Sequence, residues 1–133
     1  MLATQENTQI IQKLYEAFGR GDMPAVLSCM DEQATLINKF GKGHFPGQWG
    51  KPTRGHAEIA QFFQAMNEAV EVQSLIPRKI IAQDDTVVVL IDWKGVIRRT
   101  SQPFDSFLTH IWTVQGGKVV DYIGLSDPSA YAF

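Results

Sequence analysis

His110-Ile-Trp-Thr-Val-Gln-Gly-Gly-Lys-Val-Val120 reads as two β-strands around a tight turn. Ile, Trp, Thr and Val favour strands, and the Gly116-Gly117 pair suits a two-residue hairpin turn. Side chains alternate across a strand, so Leu108, His110 and Trp112 face one way and Thr109, Ile111 and Thr113 the other. The same pattern extends outward in both directions. Phe104 to Val114 forms the first arm of the hairpin and Val119 to Ser126 the second. Thr86 to Trp93 is strongly β-branched, follows a turn at Asp84-Asp85, and predicts another strand. Lys94-Gly95 predicts a turn before a short strand from Val96 to Thr100. Val70 to Ala82 reads as a strand in which Pro77, lacking an N–H, requires an edge or a bulge. The run Val87-Val88-Val89-Leu90-Ile91 is apolar on both faces, so one face meets helices and the other needs a second cover.

The N-terminal half is mostly helical. From Thr4 to Arg20, Ile10, Ile11, Leu14, Tyr15 and Phe18 recur at helical spacing, and Gly19 and Gly21 end the pattern. Asp22 offers a fresh N-cap, with Pro24 tolerated in the first turn of a short helix containing Ala25, Val26 and Leu27. Ala34 to Phe40 predicts a strand. Gly55 opens a third helix with an apolar stripe of Ile59, Phe62, Phe63 and Met66. Between them lies a Gly- and Pro-rich segment, Gly41 to Arg54. Loops of that length often act as lids or binding loops.

The chain has 133 residues, 44% of them hydrophobic and 20% charged, with a net charge of −2. That composition predicts one globular domain spanning residues 1–133. The charge balance carries no footprint for nucleic acid or an anionic membrane. No apolar stretch approaches the roughly 20 residues of a membrane helix, and the N-terminus lacks a signal-peptide pattern. A soluble, cytoplasmic protein is the expectation. Cys29 is the lone cysteine. His44, His56 and His110 lack zinc-ligand spacing, and Gly41-Lys-Gly43 lacks the spacing of a phosphate loop, so no metal or cofactor is expected.

Four stretches, in order, carry a family resemblance. They are Ile11-Gln-Lys-Leu-Tyr-Glu-Ala-Phe-Gly-Arg-Gly-Asp22, Met30-Asp-Glu-Gln-Ala-Thr-Leu36, Arg54-Gly-His-Ala-Glu-Ile-Ala-Gln-Phe-Phe63 and the hairpin from His110 to Val120. The chain resembles the SnoaL-like and ketosteroid isomerase-like branch of the nuclear transport factor 2-like superfamily. The resemblance implies an α+β fold in the order α-α-β-α-β-β-β-β. In it a cone-shaped, curved, mixed and mostly antiparallel sheet carries three helices on its concave face. It also implies a small hydrophobic ligand or substrate, in a family that includes isomerases, dehydratases, hydrolases, cyclases and members without catalysis.

Position by position, the ketosteroid isomerase base falls on Asn38 and its helix tyrosine on Leu14. Its strand acid falls on His110, or on Thr109 if the hairpin lengths are equal. The alternation favours His110. Asn38 cannot remove a proton as a carboxylate does, and Leu14 cannot donate to an oxyanion, which argues against steroid isomerisation by that mechanism.

Alternation directs Asn38, Phe63, Val89, Ile91, Trp93, His110, Trp112 and Tyr122 into the cone. His110 titrates near neutral pH and is the candidate acid/base, with Asn38 orienting a carbonyl or a water. Tyr122, Trp112, Trp93, Phe63, Leu14, Phe18 and Trp49 are candidate substrate contacts. Aromatics at such positions also serve simply as core, and Trp49 serves equally as a lid or a hydrophobic plug. Tyr122 and Tyr15 could each donate a phenolic hydrogen bond, although Tyr15 reads mainly as helix packing. Asp92 and Asp121 lie on the outward parity, and Asp127 precedes Pro128 beyond the last strand. Three functions remain open: a cofactor-independent isomerase, cyclase, dehydratase or hydrolase; a non-catalytic ligand-binding module; and an interaction scaffold. A homodimer through the sheet is expected in each case.

Overall fold

The structure, a computed structural model, describes residues 2–40, 43–44 and 51–127. Helix α1 spans Leu2–Gly19 and α2 spans Met23–Ser28. Strand β1 (Met30–Phe40) is followed by two-residue strands β2 (Gly43–His44) and β3 (Thr53–Arg54), then by helix α3 (Gly55–Ala69). Four long strands complete the chain: β4 (Val70–Gln83), β5 (Thr86–Ile97), β6 (Gln102–Gln115) and β7 (Lys118–Ser126). The sheet runs β2-β1-β7-β6-β5-β4, with β3 also paired to β1. The β1–β7 pair is parallel and the other pairs are antiparallel.

Local chemistry accounts for most boundaries. The Asp22 carboxylate accepts from the Ala25 N–H at 3.1 Å and caps α2, with Pro24 in the first turn. Gly116 and Gly117 have φ of 59° and 78°, which glycine adopts without a Cβ penalty and which a primed hairpin turn requires. Pro77 lies on β4, an edge strand, at a register shift against β5 between Pro77 and Lys79. That is where a residue without an N–H does least harm.

Three expectations are corrected. Lys94-Gly95 makes no turn, and β5 runs unbroken through it to Ile97. Gly95 is there for space: a Cβ would strike the Glu71 carbonyl oxygen and meet the Phe104 ring at 3.1 Å. Strand β1 begins at Met30, four residues before the expected start. Its N-terminal part pairs with β7 through a register irregularity between Met30 and Thr35. The segment from 41 to 54 also contributes the short strands β2 and β3, which add to β1.

The core sits between the helices and the inner face of the sheet. It joins Ile11, Leu14 and Ala17 of α1, Ile59 and Phe62 of α3, and inward residues of every long strand. Cross-strand register builds the inner face in rows. One row is Leu36, Tyr122, Trp112 and Val87; the next is Asn38, Gly124, His110 and Val89. Among the described residues, no helix is long and apolar enough to cross a membrane.

Candidate functional site

The second inner row sets up the site. Asn38 on β1 and His110 on β6 flank Gly124 on β7. With no side chain at Gly124, the Tyr122 ring lies across that position, and its hydroxyl donates to Asn38 Oδ1 at 3.0 Å. His110 meets Tyr122 nearly edge to face, with centroids 5.0 Å apart. Three polar groups from three strands therefore converge on one spot of an apolar wall.

That spot borders a cavity of about 70 Å³. Asn38, His110, Trp112 and Tyr122 line it from the sheet, with Trp93 beside them. Leu14 and Phe18 close it from α1, and Phe63 from α3. Among its described lining residues there is no carboxylate and no cation. A wider cleft of about 700 Å³ lies between α1, α2, α3 and β4. Phe18, Phe63, Met66 and Leu75 border both spaces and form the partition between them. The cavity's lining, mostly apolar with a few placed polar groups, has the chemistry of a small-molecule site. Its volume is well below the roughly 300–1,000 Å³ of such sites, so a ligand larger than a few atoms must displace the partition side chains.

Behind the wall is a hydrogen-bonded chain. The Tyr15 hydroxyl lies 2.6 Å from His110 Nδ1 and accepts from Trp112 Nε1 at 3.1 Å. The Tyr15 and His110 ring planes are 5° apart, with centroids separated by 5.9 Å. Trp112 stands perpendicular to Tyr15 and packs against Tyr122 at 4.6 Å. Burial pushes the His110 pKa from its usual 6.5 down to about 3. Burial also raises the Tyr15 phenol well above its ordinary value, opposed by the Trp112 hydrogen bond and reinforced by the neighbouring Tyr122. At neutral pH both groups are therefore uncharged.

Asp92 and Asp121 are engaged elsewhere. Asp92 pairs with Arg78 at 2.7 Å on the exposed side of the sheet, and Asp121 accepts from Thr35 Oγ1. Neither supplies a His–Asp pair. His56 bonds the Met30 carbonyl at 3.0 Å and does not reach the cavity. Trp49 lies outside the described residues. No group of three His, Cys, Asp or Glu side chains among the described residues is placed to hold a metal ion.

One site residue was under-read in the sequence and another was missed. Tyr15 sits on the expected inward stripe of α1, but its partner is 95 residues away and nothing local announces it. Gly124 interrupts an otherwise apolar strand, a signal for close approach of another group that went unread.

A curved α+β sheet, backed by three helices and enclosing one such pocket, defines the class of nuclear transport factor 2-like folds. Residues 11–122 match the SnoaL-like domain family, and the chain belongs to it. It is similar to a nuclear transport factor 2-like protein from Burkholderia xenovorans LB400, at 30% identity and TM-score 0.83, over 98% of this chain and 95% of that one. It is also similar to TerC co-crystallised with polyporic acid, at 26% identity and TM-score 0.81, over 94% of each chain. A proposed polyketide cyclase from Xanthomonas campestris pv. campestris shares the fold at 22% identity and TM-score 0.78, over 96% of this chain and 94% of that one. No curated protein matches the chain.

Proposed function

We propose that the protein binds a small hydrophobic molecule bearing a carbonyl or hydroxyl, and acts on it as a cofactor-independent isomerase or cyclase. The observation that carries this reading is the convergence of Asn38, Tyr122 and His110 on an otherwise apolar cavity. Tyr122 satisfies Asn38 Oδ1 and Tyr15 lies against His110 Nδ1, which leaves the Asn38 amide nitrogen and His110 Nε2 to meet a ligand oxygen at this spot. The SnoaL-like family membership and a relative solved with an organic ligand point the same way. The ketosteroid isomerase route is not part of the reading, because Asn38 occupies the base position. The aromatic cage favours a ring-bearing substrate that fills the space between Trp93, Trp112 and Phe63. A non-catalytic ligand-binding module would use the same contacts and differs only in leaving its ligand unchanged.

Native mass spectrometry of freshly purified protein tests this directly. The expected result is one apolar molecule per chain, released on denaturation, with a product appearing when that molecule is returned to the protein. Release of an unchanged ligand selects the binding module. A chain that carries nothing, and gains no thermal stability from a panel of cyclic ketones and phenols, would overturn the reading.

The same proposal includes a homodimer through the outer face of the sheet. Register places Ile37, Ile123, Ile111, Val88 and Ile81 in one continuous row across five strands on that face. Beside it Ile76, Leu90 and Phe107 are 42%, 39% and 58% exposed in the single chain. An apolar band of this kind marks an interaction surface, and a twofold pairing would cover it with a copy of itself. Sedimentation at micromolar concentration should give about twice the 14.9 kDa chain mass. Phe107→Lys should shift that mass toward the monomer, whereas a monomeric parent protein would remove the dimer.

A further inference from the structure

We propose that Tyr15 and Trp112 are positioning residues that hold His110 with its proton on Nε2, so that the ring offers the cavity a hydrogen-bond donor.

The inference comes from a count of hydrogens. An indole nitrogen can only donate, so Trp112 Nε1 gives its hydrogen to the Tyr15 oxygen at 3.1 Å. The phenol then needs an acceptor for its own hydrogen. Its other partner is His110 Nδ1, 2.6 Å away. If Nδ1 carried the proton, two donors would meet at the Tyr15 oxygen, and the hydrogen of this half-buried phenol would lose its one described side-chain acceptor, the costlier arrangement. The satisfied chain runs from Trp112 to Tyr15 to Nδ1, and it leaves Nε2 as the protonated nitrogen.

The surroundings preserve that state. Among the described residues, the titratable groups in contact with His110 are Tyr15 from α1 and Tyr122 from β7. Asn38 of β1 is neutral, and the β5 neighbour in the same row is Val89. With no carboxylate among the described lining residues to stabilise an imidazolium, the ring stays neutral. A fixed donor selects for an acceptor, and the Asn38 amide beside it reinforces the choice. The ligand group placed here is thus a carbonyl oxygen, or the enolate oxygen formed from it. This last step rests on the proposed small-molecule function, whereas the tautomer does not.

Nitrogen-15 NMR of the histidine ring, on the ligand-free protein, decides the tautomer. The expected pattern is a pyridine-like Nδ1 and a pyrrole-like Nε2, unchanged from pH 5 to 8. Tyr15→Phe should convert it to an averaged pattern, and Trp112→Phe should move it part of the way. A pyrrole-like Nδ1 in the parent protein overturns the proposal even if neither variant folds. So does a Tyr15→Phe protein that folds and keeps the parent pattern. Titration with 1-tetralone and its hydrocarbon counterpart tetralin then tests the ligand group. Tetralone should shift the Nε2 resonance, and Tyr15→Phe should weaken its binding roughly fivefold while sparing tetralin, as expected for one neutral hydrogen bond. Tetralone bound without an Nε2 shift overturns the donor role. Failure of both compounds to bind counts against the small-molecule function and leaves the tautomer result standing.

Discussion

Replacing Gly124 with alanine is expected to cost about 2 to 3 kcal/mol of stability and to abolish ligand uptake. Overpacking a well-packed core costs about 1–3 kcal/mol, and this site sits at the severe end. A Cβ at Gly124 would overlap both Asn38 Oδ1 and the Tyr122 hydroxyl, and would lie 2.9 Å from Tyr122 Cζ. Tyr122 is almost fully buried, with Trp112 packed against it and His110 alongside. The ring has no open side except the cavity. The alanine therefore breaks the Asn38–Tyr122 hydrogen bond and drives a ring into the space a ligand would occupy. Urea unfolding measures the first effect, and a ligand-dependent thermal shift the second. Adding Tyr122→Phe to Gly124→Ala should recover part of the loss, because it removes one of the overlapping atoms. Two neighbours in contact couple in this way, whereas independent sites simply add. Full parental stability in the single variant would refute the packing argument.

Stability should also fall steeply as pH drops from about 6.5 toward 3. The His110 pKa is held down to about 3 by burial, below its ordinary 6.5. Between those values the unfolded chain binds a proton at this residue that the folded chain refuses. Stability rises with pH wherever the unfolded state binds more protons. The His110 contribution is thus complete above pH 6.5, declines through the window and is lost as pH falls through the folded value. Each unit of pH within it is worth up to about 1.4 kcal/mol for one site. His110→Gln replaces the imidazole with an amide that does not titrate in this range. Unfolding free energies measured from pH 4 to 7 should show a shallower slope for the variant, by close to one proton. Parallel slopes would mean that burial does not hold the His110 pKa down.

Much of this site was legible in the order of residues. Alternation along β6 directed Leu108, His110 and Trp112 to one face, and all three border the cavity. The Gly116-Gly117 turn was legible as well, but a register irregularity between Thr113 and Val114 shifts the pairing beyond it by one residue, and that shift, which no local signal announced, makes Trp112 face Tyr122 and His110 face Gly124. Pro77 marked an edge or bulge, and β4 has both. Lys94-Gly95 misled because glycine has two uses. It permits a turn, and it permits close approach; only the Glu71 carbonyl packed against Gly95 shows which one applies.

What the sequence determined by itself is therefore periodic and local: element type, the face each side chain takes, and the Gly-Gly turn. These follow from steric preferences that act within a few residues. The tertiary structure alone decided the chemistry of His110. The sequence presents a histidine able to take or give a proton near neutral pH. The fold surrounds it with Tyr15, Trp112 and Tyr122 and keeps the carboxylates at Asp92 and Asp121 outside its cage. Desolvation and hydrogen-bond partners set a protonation state, and both come from residues as many as 95 positions apart in the chain.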